Sequence, residues 1–343
     1  MIAFYTFSFG KNTLLVICKK GLLMEELAEV KTENGNIHEN KPKKKLTDAK
    51  KKEILFIASL LGIPIIFFLV FWLYVNLDSL AMSFQREKYD LTGMHLYFTF
   101  ENFEMVFTGF FRDGDLLIAL RNTLLFYAVA LLIVLPISIL MAYFVYKKIL
   151  GYKVFRTVTY LPTIICSSAL VILYKYTFMS GGPYEAILHA LGKTYEYPLV
   201  TDNAIIMLLI YNVIFGFGGN MVVLGGAMNA ISEDVLEAGE IDGCNWFQEL
   251  IHLVIPMVWP TISTIIVLSF AGILSSTGPI LAMTQGEYNT QTLSFLLYGY
   301  ATGAVPTISQ DMYYASAIGL VMTVITFPIV LVLRKVLYRE GKE

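Results

Sequence analysis

The sequence predicts an all-α, polytopic membrane protein of about six transmembrane helices, on three observations. The chain is 56% hydrophobic and only 15% charged, where a soluble domain carries about a quarter of its residues charged. Its apolar residues fall in long runs almost free of charge, and its basic residues cluster outside those runs. Tyrosine and phenylalanine are abundant, which suits membrane interfaces and ring-lined cavities. A net charge of −2 offers nothing to nucleic acid. Cys18, Cys166 and Cys244 are scattered, as are His38, His95, His189 and His252, so neither a disulfide framework nor a metal site is expected.

A span needs about 20 apolar residues. Residues Ile54–Val75, Asn122–Tyr146, Thr157–Tyr174, Asn203–Ile231 and Met312–Leu333 contain no charge, and Leu250–Gln285 contains only His252. Each is expected to be helical, because lipid leaves unpaired backbone groups without partners; Pro64, Pro136, Pro162 and Pro328 are tolerable kinks in a bundle. Residues 1–52 lack a small-residue cleavage site and end in a lysine cluster (Lys41, Lys43, Lys44, Lys45 and Lys50–Lys52), and read as a disordered cytoplasmic tail. The membrane domain is placed at 53–338, followed by a short cytoplasmic tail at 339–343.

Lys and Arg placement sets the expected orientation. The tail, the second connection (Lys147, Lys148, Lys153, Arg156) and the C-terminus (Arg334, Lys335, Arg339, Lys342) hold most of the basic residues. Both termini are therefore expected in the cytoplasm.

The connection at 232–255 breaks that pattern. It has no Lys or Arg, but carries Glu233, Asp234, Glu237, Glu240, Asp242 and Glu249. Its residues predict two short helices at an angle. Ser232 is placed to cap the first and Gly243 to end it in a left-handed turn; Asn245 and Gln248 form a capping pair for the second. Leu236, Ile241, Trp246 and Phe247 form an apolar ridge beside an acidic face. This shape suits docking into a protein partner; it also suits a solvated acidic loop.

The run Glu237-Ala238-Gly239, then Gly243, then Leu253-Val254-Ile255-Pro256, resembles the EAA loop of ABC importer permeases of type I, with matching spacing at every step. Gly239 replaces the third residue's alanine. Ile241-Asp242-Gly243 and Arg121-Asn122-Thr123-Leu124 resemble the carbohydrate-uptake branch, and Thr284-Gln285-Gly286-Glu287 with Thr290-Gln291-Thr292-Leu293 resembles an external loop of the first of its two non-identical permeases. The resemblance covers roughly residues 50–338. It implies a permease subunit for a sugar or oligosaccharide in a bacterial plasma membrane, not itself an enzyme. Expected partners are a second permease, two ATPase subunits, an extracellular substrate-binding lipoprotein and membrane lipid. ATP and Mg would be held by the ATPase; this chain would bind no cofactor. Glu237, Ala238, Gly239, Asp242 and Gly243 would couple to that ATPase. The nearest phosphate-loop match, Gly192-Lys193-Thr194, has Ile187 where the first glycine is required.

Polar groups within spans mark a substrate path or close helix packing. Asn212 suits either role, whereas Gly225 and Gly226 are expected to serve packing. By resemblance to maltose-type permeases, the path residues fall on Asn212, Phe215, Gly216, Gly219, Ser269, Gly272, Ile273 and Ser276. Gly219, Gly272 and Ile273 carry none of the aromatic or amide groups of maltose-type sites, which implies a different cargo or contacts from the paired subunit. Other solutes (a modified sugar, glycerol phosphate, a peptide) remain compatible. A secondary transporter would call for buried ionisable residues and inverted repeats, and a membrane enzyme for a titratable cluster inside the spans; the sequence displays none of these.

Overall fold

The computed structural model describes residues 48–90, 93–201, 203–273 and 279–340. Most of the tail predicted at 1–52, the end of the C-terminal tail and the path residue Ser276 lie outside them. The chain divides after Tyr74 into two units. In the first, helix α1 comprises Asp48–Phe67 and a π-helical turn at Phe68–Leu73; the helical residues Tyr74–Ser83 begin at the last residue of that unit. Its large apolar side chains are exposed along its length, as lipid-facing or partner-facing surface requires.

In the second unit, strands β1 (Gln85–Asp90) and β2 (Gly93–Phe98) form an antiparallel hairpin, with Gln85 opposite Phe98 and Asp90 opposite Gly93. This pair departs from the all-helical expectation. Its signal is the alternation of Met94, Leu96 and Phe98. Helices α2 (Glu101–Thr108) and α3 (Asp115–Tyr146) follow. A π-turn at Ala130–Val134 interrupts α3 just before Pro136. The widened turn accommodates a ring that cannot donate to the helix and crowds the preceding carbonyl.

The third predicted span is corrected. Thr157–Tyr174 straddles a break between α4 (Tyr152–Ile164) and α5 (Ser167–Phe178), where Ile165 is extended; the two arms meet at 101°. Pro162 weakens the helix just ahead of a mixed stretch, Thr163 to Ser168, in which Ile164, Ile165 and Cys166 separate the hydroxyl residues. Hydropathy registers that stretch as apolar enough and does not register the bend. Helix α6 (Pro183–Ala190) continues the second arm.

Helix α7 (Ala204–Met228) packs on α3 and α4. The Ser138 hydroxyl on α3 donates to the Phe217 carbonyl at 3.2 Å, and a Cβ on Gly218 would overlap the Thr163 methyl. After the short helix α8 (Glu233–Ile241) comes α9 (Trp246–Ala271), with a further π-turn at Leu250–Val254 just before Pro256. The fifth predicted span, Leu250–Gln285, is too long at its end: α9 stops at Ala271, and Ile280–Met283 is a separate short helix, α10. Helices α11 (Leu293–Thr302) and α12 (Met312–Glu340) complete the chain. Trp259 on α9 donates to the Leu337 carbonyl at 3.0 Å, which holds the end of α12 against the middle of α9. Among the described residues, five helices are long and apolar enough to cross a membrane, or six if the bent pair counts as one.

Candidate functional site

The acidic connection folds as an angled pair of helices. Gly243 ends α8 at φ +80°, and its Cβ position is open space, so the turn needs glycine for conformation and not for room. Asn245 Oδ1 accepts from the backbone N–H groups of Phe247 (3.1 Å) and Gln248 (2.9 Å), while Gln248 Oε1 accepts from Asn245 N–H at 3.0 Å. The predicted capping pair is thus complete. Ser232 occupies the cap position of α8 with extended backbone, but its hydroxyl makes no cap bond.

The predicted ridge and acidic face are each reduced by one residue. Ile241 (85% exposed), Trp246 (63%) and Phe247 (52%) project into the surroundings, with the Trp246 and Phe247 rings edge to face. Leu236 instead packs into the core formed by Met228, Leu250 and Val254. Glu233, Asp234, Glu237, Glu240 and Asp242 are exposed. Glu249 is buried at 3% exposure and pairs with Lys147 at 2.9 Å; Lys147 also reaches Glu240 at 3.3 Å. Burial alone would lower the Lys147 pKa, but its bonds to Glu249 and Glu240 outweigh it, and the net shift is upward. Tyr143 on α3 donates to the Trp246 carbonyl. The loop lacks a cation of its own and takes one from the end of α3.

Gly239 is buried, and a Cβ there would stand 2.6 Å from Leu253 Cδ1. The Leu253 side chain fills the room that an alanine methyl would need. The departure at this motif position is therefore matched by a neighbouring residue of the same motif. Ala238 and Glu237 face outward beside it.

A cavity of about 160 Å³ lies between α3, α7, α9 and α10. Of the predicted path residues, Asn212, Ser269, Gly272 and Ile273 line it together. Phe215 stands beside it, in an aromatic cluster with Tyr174 and Tyr211. Gly216 serves close approach instead: a Cβ there would be 2.9 Å from Asn212 Oδ1. Gly219 is exposed with open space around it and is absent from the cavity wall. Thr123, Phe126, Tyr127, Thr292 and Ser294 also line the cavity, although sequence reasoning did not place them there. The buried Tyr127 hydroxyl has no partner among the described residues.

Two distant motifs meet at this wall. Asn122 Nδ2 donates to the carbonyls of Asn289 (2.6 Å) and Gln291 (2.9 Å), and Thr123 Oγ1 accepts from Leu293 N–H at 3.0 Å. The 284–292 loop that they hold has buried Thr284 and Thr290 hydroxyls 2.7 Å apart. It turns through positive φ at Gln285, Gly286, Tyr288 and Asn289. A Cβ on Gly286 would overlap the ring of Phe295.

Residues 134–339 match the family described as binding-protein-dependent transport system inner membrane component. The chain belongs to that family. This member is a multi-pass membrane component of a transport system, and its motif-bearing loop and the helices from the end of α3 onward lie within the matched region. It is 27% identical over 289 residues to the probable ABC transporter permease protein YesP of Bacillus subtilis, covering 81% of this chain and 90% of that one. It is 28% identical over 267 residues to the lactose transport system permease protein LacF of Rhizobium radiobacter, covering 75% and 87%. The fold is shared with a chain of a bacterial ABC transporter involved in the import of the acidic polysaccharide alginate. That match has a TM-score of 0.70 at 23% identity, with 85% of this chain and 97% of that one aligned.

Proposed function

We propose that this permease conducts a sugar or oligosaccharide as one half of an ATP-driven importer, and that the elbow at 232–255 is its coupling element. The observation that carries this reading is the elbow's construction: a double-capped turn presenting Ile241, Trp246 and Phe247 beside Glu237, Glu240 and Asp242. An exposed apolar ridge rimmed by charge suits a protein cleft. In this reading the elbow and both termini face the cytoplasm, where a pair of ATPase subunits holds ATP and Mg. A second, non-identical permease faces this one, and an extracellular binding lipoprotein delivers the cargo. Residues 1–52 form a cytoplasmic tail and 53–338 the permease domain.

The cavity beside Asn212 and Ser269 is one wall of the path. At about 160 Å³ it is smaller than the roughly 300–1,000 Å³ of pockets that enclose small molecules, so the facing permease completes it. Amides, hydroxyls and the Phe126 and Tyr127 rings suit a sugar's hydroxyls and faces. The lactose and alginate cargoes in the names of similar proteins support the same class.

The test is Gly243→Val and Glu237→Lys in the assembled transporter. Glu237→Lys changes an exposed position, and Gly243→Val strains the turn at φ +80° without overlapping any neighbour; the bundle is expected to assemble with both, the elbow alone being disturbed, and uptake to be abolished while ATP hydrolysis continues. Normal uptake in both variants would overturn the assignment. Labelling of a Glu237→Cys variant by a membrane-impermeant maleimide on intact cells would overturn the orientation.

A further inference from the structure

Gly225 and Gly226 do not serve the close helix packing expected of them. A Cβ on Gly226 would meet nothing within 4 Å, and one on Gly225 would meet only the Tyr160 hydroxyl, at 3.8 Å. They form the floor of a second cavity, of about 340 Å³, between α3, α4 and α7. Its walls include Lys148, Tyr152, Arg156 and Tyr160, and no carboxylate. Neither Lys148 nor Arg156 is in an ion pair among the described residues; the Arg156 guanidinium carbon lies 5.5 Å from the centre of the Tyr160 ring. Two uncompensated cations, tyrosine hydroxyls and the positive end of α4 at Tyr152 thus converge on one space, a combination that favours an anion.

The position selects the kind of anion. Lys148 lies two residues past the end of α3, so the cavity opens at the depth where a bundle meets lipid headgroups. On its own walls, Val222 of α7 (47% exposed) and the half-buried Val145 of α3 form an apolar edge beside the two cations. A free phosphate has no use for that surface, whereas acyl chains do. We propose that the cavity binds the phosphate headgroup of an anionic phospholipid, with Lys148 and Arg156 on the phosphate and the tail along Val145 and Val222. Basic pockets between membrane helices are suited to such headgroups.

The test is native mass spectrometry of the assembled transporter extracted from nanodiscs of equal phosphatidylglycerol and phosphatidylcholine. Selective retention of phosphatidylglycerol is expected. Retention should fall about tenfold in Lys148→Gln/Arg156→Gln, the loss of two headgroup contacts. It should fall similarly in Gly226→Leu, which keeps both charges and fills the floor. Inorganic phosphate should not displace the lipid. Three results would overturn the proposal: no selectivity in the unaltered protein, as when a partner subunit covers the cavity; selectivity unchanged in both variants; or displacement by inorganic phosphate, which would make this a free-anion site.

Discussion

The acidic elbow at 232–255 and the threonine-anchored loop at 284–292 are both irregular segments between helices, and they are held by opposite means. The elbow is stabilised locally. Asn245 and Gln248 satisfy the amino end of α9 from within four residues, and Gly243 turns the chain in open space. The second loop is held from far away, by Asn122 and Thr123 on α3, and it fits around Phe295 so closely that Gly286 has no room for a methyl group. Local caps allow a segment to project and still remain rigid. A loop that tucks its threonines and backbone against the bundle must find partners for those groups inside the protein.

Three substitutions test this contrast. The largest effect is expected from Gly286→Ala, which combines a positive φ with overlap on a ring that is itself fully enclosed. Strain and overpacking together should cost roughly 2–4 kcal/mol, read as a lowered melting temperature of the detergent-purified protein. Next comes Asn122→Leu, which keeps the volume and removes both donors to the loop carbonyls. A cost of about 1–3 kcal/mol is expected, with faster protease cleavage confined to 284–292; cleavage spread over the chain would show that Asn122 supports the bundle at large. The smallest is Asn245→Ala, at about 1 kcal/mol, with Asn245→Asp retaining most of the stability. A loss as large as that of Gly286→Ala would mean that the elbow is not locally held, and the contrast would fail.

The same contrast explains what the sequence made legible. Caps, turn glycines and charge patterns act within a few residues, so the elbow's outline could be read directly, and charge-free runs located most of the spans. Contacts made across the chain could not. Leu236 and Glu249 look like surface residues in a polar loop until the core around Val254 and the cation of Lys147 are in place. Thr157–Tyr174 looks like one span because hydropathy averages over the Ile165 break. The pairing of Asn122 with the 289–291 carbonyls bridges residues too far apart for any local pattern. Tyr127 escaped notice because an aromatic residue in an apolar run looks the same whether it faces lipid or a cavity. The path residues were only partly legible: Asn212 and Ser269 stood out as polar groups in apolar runs, whereas Gly219 lacks a side chain to show which way it faces.

Lys147 gives the elbow a second attachment. The loop joins α9 through the chain itself, but the Lys147 bridges to Glu240 and Glu249 fasten it to α3 as well, and Tyr143 adds a third tie through the Trp246 carbonyl. A push on the ridge therefore loads two long helices in parallel. Since α3 carries Thr123 and Tyr127 while α9 carries Ser269, two walls of the cavity beside Asn212 sit on the two arms of one yoke.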